Sequence, residues 1–249
     1  MDEVAHRPWP VPLTPWLLTL TWEDLLFAHW PVPAVSLAPL IPRGLTLDTF
    51  EGNAWLGIVP FRMVGVRWRF LPPVPGTAAF PELNVRTYVT AEDKPGVWFF
   101  SLDAASRLAV RGARWSFHLP YFDAEMETKR DGDAVEYRSR RTHAGTAGAE
   151  FKARYAPVGP VYISKKGTLE HFLTARYCLY SGDVRGRLWR GEIHHPPWPL
   201  QRAEADISLN SMTAQIGVRL AEKPALLHFA RRLCVLAWPP QQLRLSRPV

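Results

Sequence analysis

Residues 80–89 read FPELNVRTYV. Alternate side chains of a β-strand point to opposite faces, and that rule divides the stretch cleanly. Pro81, Leu83, Val85, Thr87 and Val89 share one face, which is nearly all apolar. Phe80, Glu82, Asn84, Arg86 and Tyr88 share the other. That second face sets a carboxylate, an amide, a guanidinium and a phenol in a row. It is either wetted by solvent or lines a pocket, and its mixture of polar and aromatic groups is that of a ligand site. Glu82 and Arg86 are ~13 Å apart along the strand backbone. They are not simply each other's partners, so each needs a further partner if buried.

Outward from this stretch, short strand-like segments recur along all 249 residues. They fall at 18–28, 46–50, 54–64, 83–90, 97–102, 114–118, 122–129, 134–140, 150–155, 176–181, 187–193, 201–209 and 233–238. Turn signals separate several of them, among them EGN at 51–53, DKPG at 93–96, RDGD at 130–133 and SGD at 181–183. Helix candidates are few and short: Val35–Leu40, Ala104–Arg111, Leu169–Ala175 and Pro224–Arg231. The 24 prolines keep all elements short, because proline breaks helices and is excluded from central strands. The pattern predicts a mainly β (α+β) barrel or sandwich with helices at its edges. No linker divides the chain, so residues 1–249 are expected to form one domain.

Bulk composition narrows the function classes. Apolar residues make up 47%, enough for a sizeable core. The net charge is +7, almost all of it from 24 arginines against 6 lysines. The arginines are scattered singly and in pairs, without a nucleic-acid motif, and no nucleic-acid partner is expected. No apolar run approaches the ~20 residues of a membrane helix. The start lacks the basic and apolar segments of a secretory signal. The expectation is a cytoplasmic protein without membrane contact, its Cys178 and Cys234 buried as free thiols. Arg62 ends a strand and reads as a surface residue. Glu192 and His194 share a strand face, with His195 opposite; they fall short of a zinc ligand set, and no metal or cofactor is expected. Phosphate-loop, dinucleotide and nucleophile-elbow motifs are absent.

The blocks FAHWPV, LDTFEGNAWLGIVPFRM, FPELNVRTYV, PGVWFFSLDA, TARYCLY and RGEIHHPPWPLQ occur in this order. Together they closely resemble the bacterial YqjF-like family, a family defined by a domain of unknown function, over roughly residues 10–240. That family is in turn distantly similar to acetoacetate decarboxylases. The resemblance implies a β-cone or double barrel with an internal cavity and a few short flanking helices. It also implies that FPELNVRTYV is a cavity-lining strand, with Glu82 at an acidic position of the decarboxylases. Those enzymes use a Schiff-base lysine, its pKa lowered by a desolvated site and a neighbouring cation. Here the matching stretch is SLDAASRLAVRGARWSFHLPY, and Leu119 and Pro120 fall on the two lysine positions. Neither can form an imine. Glu23 falls near the decarboxylases' first-strand arginine, and Gly57 near their other acidic residue. YISKKG at 162–167 imitates the lysine motif but comes too late in the chain and reads as an exposed loop.

Three readings follow. In the first, the protein binds a small, partly apolar carboxylate- or carbonyl-bearing molecule. Arg86 pairs its anionic end, and Glu82, Asn84 and Tyr88 orient it. In the second, it is an enzyme without a Schiff base, using Glu82 as general acid/base and His118 as a second proton carrier. In the third, its Pro- and Trp-rich surface is a protein-interaction module.

Overall fold

The computed structural model describes residues 3–71 and 78–244. Its strands are β1 (Leu18–Val32), β2 (Thr46–Leu47), β3 (Ala54–Trp68), β4 (Ala79–Ala91), β5 (Lys94–Ala104), β6 (Tyr121–Asp131), β7 (Ala134–Arg141), β8 (Glu150–Tyr162), β9 (Cys178–Gly182), β10 (Leu188–His194), β11 (Leu200–Asn210), β12 (Leu226–Ala237) and β13 (Gln241–Gln242). Three short helices accompany them: α1 (Ala34–Leu37), α2 (Arg107–Phe117) and α3 (Leu169–Thr174).

The pairings close two rings. One runs β5-β6-β7-β8-β11-β12-β1-β3-β4 and back to β5. The other runs β5-β9-β10-β12-β1-β3-β4 and back to β5. They share β12, β1, β3, β4 and β5, and they part where a long strand gives its two ends to different neighbours. Leu102–Ala104 of β5 pair with β6, whereas Val97 and Trp98 pair with β9. Phe229 and His228 of β12 pair with β11, whereas Ala237 and Leu236 pair with β10. Closure leaves only the two-residue β2 and β13 as terminal strands, in place of long open edges that would invite aggregation.

Because both faces of the shared layer are covered, its strands alternate between two cores. Leu26, Ala28 and Trp30 of β1, Leu56 and Ile58 of β3, and Leu83 and Val85 of β4 fill the first ring with Tyr137, Phe151 and Tyr155. Leu25 and Phe27, Val59 and Phe61, and Phe80 face the second ring, where α2 contributes Val110 and Phe117. The apolar face of the opening stretch is therefore the wall of one barrel, and its polar face is the wall of the other.

Several sequence expectations change. Residues 114–118 are the end of α2, not a strand: the buried Val110 and Phe117 lie seven apart, two turns of one helix. Pro224–Arg231 is not a helix but the approach to β12 and its first half, a short apolar run that periodicity cannot distinguish from a helix. Cys178 is a buried thiol, but Cys234 is exposed. Arg62 is exposed as expected, and residues 163–167 form a largely exposed loop after β8. No helix among the described residues is long and apolar enough to cross a membrane.

Candidate functional site

The second ring encloses a cavity of about 410 Å³. Most of its wall is Leu, Phe, Trp, Val and Met from β1, β3, β5 and α2. Its polar groups gather on and around β4, where Glu82, Asn84 and Arg86 line it in succession. A bulge between Val85 and Arg86 in the β4–β5 pairing shifts the register beside Arg86, the kind of irregularity that re-aims a side chain. Tyr137, reaching across from the other barrel, donates to the Glu82 carbonyl at 2.7 Å and pins this part of β4.

Glu82 is buried, and its only side-chain partner among the described residues is Tyr121, whose hydroxyl donates to Oε2 at 3.0 Å. Burial pushes its carboxyl pKa up to about 8; the Tyr121 hydrogen bond opposes this and the charge of Asp103 adds to it. Glu82 is thus a neutral acid at pH 7, able to donate a hydrogen bond. Asn84 is also buried, and its Oδ1 has no partner.

Arg86 makes no ion pair among the described residues, and its buried Nε has no hydrogen-bond partner. Its guanidinium lies 5.1 Å from the Phe27 ring and 5.8 Å from the Tyr88 ring. Gly57 makes room for it: a Cβ there would stand 3.1 Å from the His29 ring and 3.4 Å from Arg86 Cγ. Tyr88 shares the face but stands behind the wall. Its hydroxyl is 2.6 Å from His29 Nε2, and its ring packs beneath Arg176, 4.9 Å away. Burial first, then the charge of Arg86, holds His29 well below the usual histidine range, so it is neutral.

Arg176 and His195 line the cavity without having been read as site residues. Arg176 borders the cavity, but its Nη1 donates to Asp48 Oδ2 at 2.6 Å, which neutralises it. His195, expected to be structural, lines the cavity with Trp198. Burial lowers its pKa to about 4, and it too is neutral. Neither residue belongs to a polar ladder, so no periodicity marked them; they come from the irregular entry to β9 and exit from β10. His118 corrects an expectation in the other direction. It ends α2 in the left-handed region at φ 53° and packs against Trp189 at 5.0 Å, while its neighbours Phe117 and Leu119 line the cavity. It is not among the residues that line the cavity.

The charge balance of the cavity is then simple. Glu82 and His195 are neutral, Asp48 cancels Arg176, and Arg86 is left as one unmatched positive charge. None of the six lysines lines the cavity, and Leu119 does. Among the described residues no cluster of three or more His, Cys, Asp and Glu side chains can hold a metal ion.

Several known proteins resemble this chain. Over 224 residues it is 49% identical to the uncharacterized protein YqjF of Bacillus subtilis strain 168, covering 90% of this chain and 91% of that protein. Among solved structures, the enduracididine biosynthesis enzyme MppR, complexed with the condensation product of pyruvate and imidazole 4-carboxaldehyde, superposes with a TM-score of 0.63 at 12% identity, covering 92% of this chain and 90% of that one. An acetoacetate decarboxylase from Legionella pneumophila superposes with a TM-score of 0.59 at 12% identity, covering 95% and 92%. The fold is therefore acetoacetate-decarboxylase-like. The family model DUF2071, described as an uncharacterized conserved protein, matches residues 19–234, and the chain belongs to that family.

Proposed function

We propose that the protein binds a small, partly apolar monocarboxylate in the cavity of the second barrel, without forming a Schiff base. The observation that carries this reading is Arg86: a guanidinium with no carboxylate partner, on the wall of a largely apolar cavity. An unmatched charge in such a place is costly unless a counter-charge arrives, and a guanidinium matches a carboxylate through two parallel hydrogen bonds. The neutral Glu82 and the free Asn84 Oδ1 offer a donor and an acceptor to an oxygen function further along the ligand. The structural neighbour that holds a pyruvate condensation product supports a small oxo-acid-like ligand on this scaffold.

Titration calorimetry with octanoate and octan-1-ol tests the anchor. The wild type should prefer the carboxylate, and Arg86→Leu should weaken octanoate by ~1.5–3 kcal/mol, the scale of a charge-assisted hydrogen bond, while leaving octanol unchanged. Equal binding of the two by the wild type would count against an anion site.

The raised pKa of Glu82 favours a second reading, general-acid chemistry on a carbonyl compound. Its signature is solvent deuterium entering beside the carbonyl of an added 2-oxo acid, lost in Glu82→Gln. The interaction-module reading has little support, because only Trp115 of the eleven tryptophans is exposed.

A further inference from the structure

The face that α2 turns toward the cavity is Ala109, Gly112, Ala113 and Ser116, spaced as one stripe of a helix. Gly112 is the odd member. It sits in the helix interior, where glycine is the poorest former short of proline. No close contact requires it, since a Cβ built there meets nothing within 4 Å. Its φ is not in the left-handed region either. The space it leaves open is cavity. Ser116 does not make this face polar, because its hydroxyl donates back to the Gly112 carbonyl at 2.7 Å. Leu108, one turn earlier, lines the cavity and is 56% exposed, so the cavity reaches the surface beside the start of α2. Away from this face, the buried Asn84 Oδ1 and Trp198 Nε1 both border the cavity without a partner, which marks the space as built for an occupant.

We infer that the ligand is an amphipathic monocarboxylate whose unbranched apolar tail runs from the Arg86 end of the cavity along the small-residue face of α2, with Gly112 setting how much tail is admitted. This rests on the monocarboxylate reading above and extends it to a substrate class, the medium-chain aliphatic acids. The polar ladder on β4 fixes the head. Phe80, Phe99, Met63 and Trp68 line the same cavity and make it apolar. A tail laid among them leaves water at the ~25 cal/mol per Å² typical of apolar burial.

The test is a binding series of butyrate, hexanoate, octanoate and decanoate at monomeric concentrations, against the wild type, Gly112→Leu and Arg86→Leu. Gly112→Leu improves helix propensity and fills open space, and a thermal melt no lower than wild type confirms that it folds. The wild type should gain about fourfold in affinity per methylene along the series. Gly112→Leu should bind hexanoate like the wild type and lose the gain beyond it. Arg86→Leu should weaken every acid by the same factor. If affinity is flat along the series while Arg86→Leu still weakens all four, the tail route is wrong and the anchor stands. If Gly112→Leu binds decanoate as the wild type does, Gly112 has no gating role. If Arg86→Leu changes nothing, or no acid binds at all, the monocarboxylate reading falls and this inference with it.

Discussion

Glu82 is a lining residue whose raised pKa falls close to neutral pH. Its carboxyl titrates at about 8 in the folded chain against an ordinary value of 4.5. Between those values the folded state holds a proton that the unfolded state has released. Stability linked to Glu82 is therefore full below about 4.5, falls by up to ~1.4 kcal/mol per pH unit through the window, and levels off above 8. Glu82→Gln, which can still accept from Tyr121, should raise the urea midpoint at pH 8 and change it little at pH 4.5. Parallel midpoint profiles for wild type and variant would show that Glu82 ionises freely. The alternation of ten residues placed Glu82, Asn84 and Arg86 on one face, and the resemblance to the decarboxylases, not the pattern, implied that this face lines a cavity. The same alternation placed Tyr88 with them, but whether a phenol reaches the cavity or a neighbour depends on what stands opposite, and His29 is 59 residues away.

At the scale of elements, glycines decide where strands can approach. A Cβ on Gly96 would stand 2.7 Å from both Cys178 Sγ and Tyr180 Cε2, and 2.8 Å from the Cys178 carbonyl oxygen. The last of these is backbone and cannot swing away, so the seam between β5 and β9 that closes the second barrel depends on that glycine. Gly96→Ala should cost ~3 kcal/mol of stability, at the upper end of overpacking. Gly148→Ala, where nothing lies within 4 Å, should stay within ~1 kcal/mol of wild type by chemical denaturation. A neutral Gly96→Ala would mean the seam is slack. Most strands were legible as short apolar runs between turn signals. The errors fall where local pattern and tertiary role diverge. RWSFH at 114–118 is aromatic enough for a strand, yet it completes a helix whose buried positions, Val110 and Phe117, pack into the core of the second ring. LLHFARR at 226–232 is apolar enough for a helix, yet it joins two barrels.

The whole molecule follows from the shared layer. Five strands serve both rings, so neither barrel is complete without strands that also wall the other. We propose that the chain unfolds as one unit. Near-ultraviolet circular dichroism and the fluorescence of the eleven tryptophans should report one coincident transition with denaturant. Separate midpoints would make the two barrels independent domains. Two rings that share strands were not legible from local pattern, because each of β5 and β12 reads as a single strand and only long-range pairing reveals that its ends part company. The resemblance to the decarboxylases implied the double barrel; the residues alone implied only a barrel or a sandwich.

Whether an anion is held at Arg86 is tested most directly by a nuclear magnetic resonance titration of octanoate labelled with ¹³C at its carboxyl. A carboxylate beside an unmatched guanidinium keeps its charge to lower pH than it does in water. The bound resonance should therefore titrate below the free acid in wild type and return toward it, or rise above it, in Arg86→Leu. A bound carboxyl that titrates above the free acid in the wild-type protein would mean the ligand enters as the neutral acid and that Arg86 does not hold it.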